Sequence, residues 1–124
     1  MKISHSLLWI FEPLEVQSEF FYQRMFGCLA GYLENRLVLV VADKQEPWNG
    51  LLLPTEREFQ PLIQAEFKTL KPHPILGKWL YLSQTAPEFE EVAIQIVEAI
   101  QKRDFRMGVD SRPKTFALKK RKKR

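Results

Sequence analysis

The sequence predicts an α+β fold: an antiparallel sheet of about four to six strands, built from hairpins or a meander, with helices packed on it and a terminal helix over about residues 86–103. Three observations carry this expectation. Residues 20–41 contain three aromatic or aliphatic runs, Phe20–Phe26, Leu29–Leu33 and Leu37–Val41, separated by Gly27-Cys28 and by Glu34-Asn35-Arg36, the pattern of consecutive hairpins. Phe89, Val92, Ala93, Ile96, Val97 and Ile100 recur at helical spacing and form one apolar face. Between these regions Trp79 and Tyr81 alternate with Leu80 and Leu82, which assigns the two pairs to opposite faces of a strand. At 124 residues the chain is one domain, and nine Phe and three Trp give it enough apolar volume for a packed core.

The elements follow in order. Residues 3–17 begin with an apolar patch that Pro13 keeps from forming a long helix, leaving a short strand or a helical turn. Leu37–Val41 is continuously apolar rather than alternating, so it reads as a central strand buried on both faces. Asp43–Pro47 is a loop, and Trp48–Leu53 is a further strand ended by Pro54. Thr55–Glu58 has the spacing of a capping box, with Phe59, Leu62, Ile63 and Phe67 on the face of the helix that follows. Proline is tolerated in a first helical turn, so Pro61 starts this helix near Glu58 or bends it. Lys71-Pro72-His73-Pro74 is extended, because each residue before a proline is pushed out of the helical region. Thr85–Glu88 is a second capping box, after which Glu90, Glu91, Glu98, Gln101 and Lys102 form the solvated face of the terminal helix.

Charge divides the chain in two. Residues 112–124 hold Arg112, Lys114, Lys119, Lys120, Arg121, Lys122, Lys123 and Arg124 and no acid, which leaves 11 basic against 15 acidic residues, a net −4, in residues 1–111. The expected organisation is therefore a single α+β domain over 1–111 and a basic tail over 112–124, in which self-repulsion opposes packing and predicts disorder. A lone cysteine, Cys28, fits a reducing compartment. No apolar run is long enough for a transmembrane helix and no secretory leader is evident, so the expected location is cytoplasmic.

With those elements placed, Arg24-Met25-Phe26-Gly27, Tyr32-Leu33 and Val41-Ala42-Asp43 stand in the order found in the N-terminal domain of the TfoX/Sxy family of competence-regulator-like proteins, which the chain resembles over about residues 18–103. The layout is also similar to that of MmcQ/YjbR-like proteins, with Lys78-Trp79-Leu80-Tyr81 before the terminal helix. The chain departs from the pattern at Cys28, where the family has a second glycine, and at Pro54. The resemblance implies a regulatory or adaptor-like module and carries over no catalytic site; the Arg24–Gly27 motif is structural.

The residues themselves show no catalytic or metal-binding constellation. His5, His73 and Cys28 are separated in sequence and lack ligand spacing. Gly27 and Gly31 lack the rest of a dinucleotide or phosphate-loop fingerprint and read as a bend where strands pass. Cys28 reads as a small buried hydrophobe. No cofactor is called for. Trp48, Trp79 and Tyr81 are the aromatic candidates for stacking on a base or ligand, and Trp79 with Tyr81 would form a platform for single-stranded nucleic acid if their sheet face is uncovered. The eight tail cations are the candidate nucleic-acid-binding residues, acting on nucleic acid or ribonucleoprotein through counterion release without sequence preference; an anionic membrane surface and a merely solubilising terminus are the other readings of the same charges. The leading expectation is a non-enzymatic regulatory or adaptor-type module, monomeric or weakly homodimeric, that acts through protein contacts while the tail attaches it to nucleic acid. The alternative is a small-molecule-binding or catalytic domain whose pocket lies between the Phe26–Gly31 bend and Trp79. A third possibility is a purely structural partner of another chain, using the acidic body.

Overall fold

The computed structural model describes residues 5–111. The tail residues Arg112, Lys114, Lys119, Lys120, Arg121, Lys122, Lys123 and Arg124 lie outside the described residues.

The chain is α+β, with a seven-stranded antiparallel sheet among the described residues. Its strands are β1 (Phe20–Met25), β2 (Cys28–Leu33), β3 (Arg36–Asp43), β4 (Asn49–Pro54), β5 (Lys71–Pro72), β6 (Trp79–Ser83) and β7 (Val109–Asp110). The spatial order is β1-β2-β3-β4-β6-β5, and β7 pairs with the start of β3. Short α1 (Gln60–Glu66) joins β4 to β5, and α2 (Phe89–Gln101) follows β6. The N-terminal patch forms two consecutive turns of 3₁₀ helix, Leu8–Ile10 and Glu12–Leu14, with Pro13 inside the second. A strand there is excluded, since Leu7, Ile10, Phe11 and Leu14 are buried on the helical side of the sheet.

The two tight hairpin turns form because residues tolerate left-handed backbone there. Phe26 and Gly27 have φ of 50° and 79°, and Glu34 and Asn35 have φ of 53° and 67°. Positive φ at both central residues matches the twist of two-residue hairpins. Gly27 and Asn35 suit that geometry; Phe26 does not.

Every side chain of Leu37–Ala42 is buried, as continuity of the run predicted. Two separate cores account for it. Val38, Leu39 and Val41 join the core under α1, α2 and the 3₁₀ turns, together with Leu29, Leu51, Leu53, Leu80 and Leu82. Leu37, Val40 and Ala42 join a second core on the other face, with Cys28, Ala30 and Leu52. Val38 and Leu39 point the same way because a register shift at Gly31/Tyr32 places an extra β3 residue there, the effect of a bulge.

Both expected capping boxes are corrected. Thr55 is buried and its hydroxyl donates to the carbonyl of Arg106 at 2.7 Å, so a 3₁₀ turn over Arg57–Phe59 leads into α1 without a side-chain cap. Thr85 instead pairs with Ser83 through their hydroxyls at 2.8 Å, and Glu88 stands at the α2 N-cap position without a capping bond. A tertiary partner for the Thr55 hydroxyl and a competing local turn at Ser83 for Thr85 override the capping motif. Leu62 is exposed rather than core-facing, because α1 is only two turns long and turns Ile63 inward. Pro61 sits in the first turn of α1, where its missing N–H costs nothing.

The segment after α2 is strapped to the sheet. The Arg36 guanidinium donates to the carbonyls of Phe105, Met107 and Gly108 at 3.1, 3.2 and 2.8 Å. Arg106 pairs with Asp104 at 2.6 Å and Glu66 at 2.8 Å, and these carboxylates hold its guanidinium more firmly protonated than usual.

Candidate functional site

The sheet face away from the helices is covered only in part, by two loops, and between them lies an apolar groove of about 660 Å³. Cys28 of β2, Leu37 and Val40 of β3 and Leu52 of β4 form its floor. Met25 and Phe26 enter from the β1–β2 hairpin, Trp48 from the β3–β4 loop, Ile75 and Leu76 from the β5–β6 connection, and Trp79 from the start of β6.

Polar contacts set both walls. Buried His73 accepts the amide N–H groups of Ile75 and Leu76 at its Nδ1, each at 3.0 Å. A ring nitrogen that accepts carries no proton, so Nε2 bears it and donates to the carbonyl of Pro47 at 2.7 Å. The same ring lies 4.3 Å from that of Trp48 and meets the Tyr81 ring edge-on at 5.2 Å. Tyr81 donates to Glu46 Oε1 at 2.5 Å and accepts the Asn49 amide at 2.9 Å, while the Ser83 hydroxyl donates to Glu46 Oε2. Burial and the bond to Glu46 push the Tyr81 phenol up to about 12. Ser83 first and Tyr81 second hold the Glu46 carboxyl below its ordinary value. The Glu46–Pro47 peptide is cis.

Charge in the groove is one-sided. Lys44 and Lys78 line it, with no carboxylate among the described lining residues. Lys44 lies directly over the β1–β2 turn: a Cβ added at Gly27 would stand 2.0 Å from its Nζ. Burial raises the Cys28 thiol and the nearby Lys44 ammonium partly offsets it, so the residue behaves as an apolar floor atom rather than a thiolate.

The structure brings together part of what the sequence singled out. Met25, Phe26 and Trp79 meet in the groove, whereas Arg24 is exposed on the edge strand β1 and Gly27 serves the turn. Trp79 and Tyr81 do share a face, opposite Leu80 and Leu82. Only Trp79 lines the groove; the Tyr81 phenol is engaged by Glu46. Trp48, an aromatic stacking candidate in the sequence, also lines the groove, whereas sequence reasoning missed Ile75, Leu76, Lys44 and the wall-setting role of His73. The available signal was the pairing of Trp48 with the Pro-His-Pro run, both flanking strands of the same face. The chain matches no family model, no curated protein and no solved structure, so function rests on this geometry.

Proposed function

We propose that this chain is a non-enzymatic regulatory or adaptor-type module that works by binding an apolar ligand in the groove on the second face of its sheet. The carrying observation is the lining: thioether, aromatic and aliphatic groups over a preformed cavity within the size range of ligand sites, about 300–1,000 Å³. General acid–base or nucleophilic catalysis needs a positioned titrating group at the reacting atom, and the lining offers only a thiol held up by burial and two ammonium groups. The resemblance of Arg24–Gly27 to the regulator-like TfoX domain supports the same reading. Phe26 adds to it. This phenylalanine is 94% exposed and left-handed at the groove mouth, a placement that costs roughly 1 kcal/mol or more without any packing return.

Nile red, a neutral apolar dye, tests this reading. Its emission rises and shifts to the blue with the intact chain, and the response falls severalfold in a Phe26→Asp, Ile75→Asp variant, both positions being exposed. An undiminished response in that variant, or none with the intact chain, rejects the groove as a binding site.

A second reading adds to the first and rests on the eight cations of residues 112–124: these residues attach the module to nucleic acid. The affinity for a mixed-sequence duplex drops steeply between low and physiological salt, and deletion of 112–124 abolishes it. If the deletion leaves affinity unchanged, this attachment is wrong.

A further inference from the structure

We propose that the ligand of the groove is a single-chain anionic amphiphile, an acyl carboxylate whose chain lies on Cys28, Val40 and Leu52 and whose head lies between Lys44 and Lys78. The inference rests on the groove reading above and specifies its chemistry.

Residues 1–111 carry a net −4, yet the charged residues lining this concavity are both cationic. Neither lysine has an ion-pair partner among the described residues, while Arg103 and Arg106 do. Glu56, Glu58 and Asp110 border Lys78 in the neighbouring concavity and Asp43 acts on Cys28, so the field suited to an anion is confined to the two lysines on the groove's own lining.

The floor decides what the anion is attached to. A nucleotide or sugar phosphate brings a polar body that needs hydrogen-bond partners once buried. The described lining holds no amide, hydroxyl, carboxylate or imidazole side chain to supply them. A hydrocarbon chain asks for none, and every methylene it buries adds to binding. The groove is also a concavity walled by Trp48, Leu76 and Trp79, into which one chain fits and a bilayer surface does not. Phe26 and Ile75, 94% and 64% exposed, stand at the mouth, where a chain entering from water would bury them.

Binding of decanoate, decanol and decyltrimethylammonium to the full chain, each below its micellar concentration, tests the proposal through tryptophan fluorescence and calorimetry. Decanoate is expected to bind best, decanol severalfold more weakly and the cation weakest. A Lys44→Gln, Lys78→Gln variant should weaken decanoate roughly fivefold, as expected for exposed charges, and leave decanol unchanged. Both lysines are exposed, so the variant should melt with the parent protein, and it keeps residues 112–124, so attraction of decanoate to that run cancels in the comparison. Equal affinity for all three amphiphiles, or a variant that binds decanoate as tightly as the parent, overturns the anionic head while leaving the apolar groove intact. No binding of any of them, together with no Nile red response, removes the groove reading itself. Binding to phosphatidylglycerol vesicles but not to monomeric decanoate overturns the proposal in favour of a membrane surface.

Discussion

The imidazole of His73 donates from Nε2 to the carbonyl oxygen of Pro47 at 2.7 Å and so joins the two loops that wall the groove. With Nδ1 accepting from Ile75 and Leu76, one buried ring satisfies three backbone groups. His73→Ala would leave those groups without their partner and open space beside Trp48. Unfolding in urea should show a loss of about 3 kcal/mol, and Nile red binding should weaken more than that loss alone explains. A variant that keeps full stability and dye binding would show that the walls stand without the ring.

Tyr81 and Glu46 give stability a dependence on pH at both ends. The Tyr81 phenol is raised to about 12 in the folded chain, so its contribution is complete below the ordinary tyrosine value of 10 and is lost as pH rises through about 12. Glu46 is depressed below 4.5; its contribution is present above that value and fades as pH falls through the lower folded value. Tyr81→Phe should cost about 1 kcal/mol at neutral pH. It should also flatten the acid limb of a stability curve and remove a phenol that titrates near 12 from an alkaline absorbance titration. An unaltered acid limb would separate Glu46 from the phenol.

Phe26 occupies a turn position that suits Asn better, with φ of 50° ahead of Gly27 at 79°. Phe26→Asn should raise stability by about 0.5–1 kcal/mol and at the same time weaken binding of apolar probes. Opposite movement of the two quantities is the mark of a residue kept for contact with a ligand. A variant that loses stability would place Phe26 among the structural residues instead.

Gly50 admits no side chain. A Cβ there would stand 2.1 Å from the backbone oxygen of Leu82 and 2.9 Å from the amide nitrogen of Gln84, so β4 and β6 would have to separate. Gly50→Ala should cost at least about 3 kcal/mol, read as a fall in melting temperature with loss of near-ultraviolet ellipticity. A variant melting within a few degrees of the parent would mean that the pair can shift freely.

Strands and α2 were legible because their signals are local. The β1–β2–β3 runs, the alternation around Trp79 and the helical spacing of Phe89–Ile100 each lie within a short window. The capping boxes misled because Thr55 bonds to distant Arg106, which local pattern cannot weigh, and because Thr85 joins a competing local turn with Ser83. Two-residue β5 and β7 exist through tertiary pairing alone. The Phe26–Gly31 bend and Trp79 located the groove because glycine and tryptophan stood out in composition. Its far wall was legible only at Trp48, since Ile75 and Leu76 come from a loop that the His73 ring ties to Pro47 across the fold.

The two-sided burial of β3 has a consequence for how its alignment is chosen. In a strand with one wet face, a slip by one residue exposes the apolar set and is self-correcting. Leu37–Ala42 has no wet face, so water offers little guidance between neighbouring alignments. The choice falls to features that tolerate a single setting: the extra residue opposite Gly31/Tyr32 and Arg36 reaching three carbonyls at once. Substitutions at those two places threaten mispairing and aggregation during folding, beyond any weakening of the finished molecule.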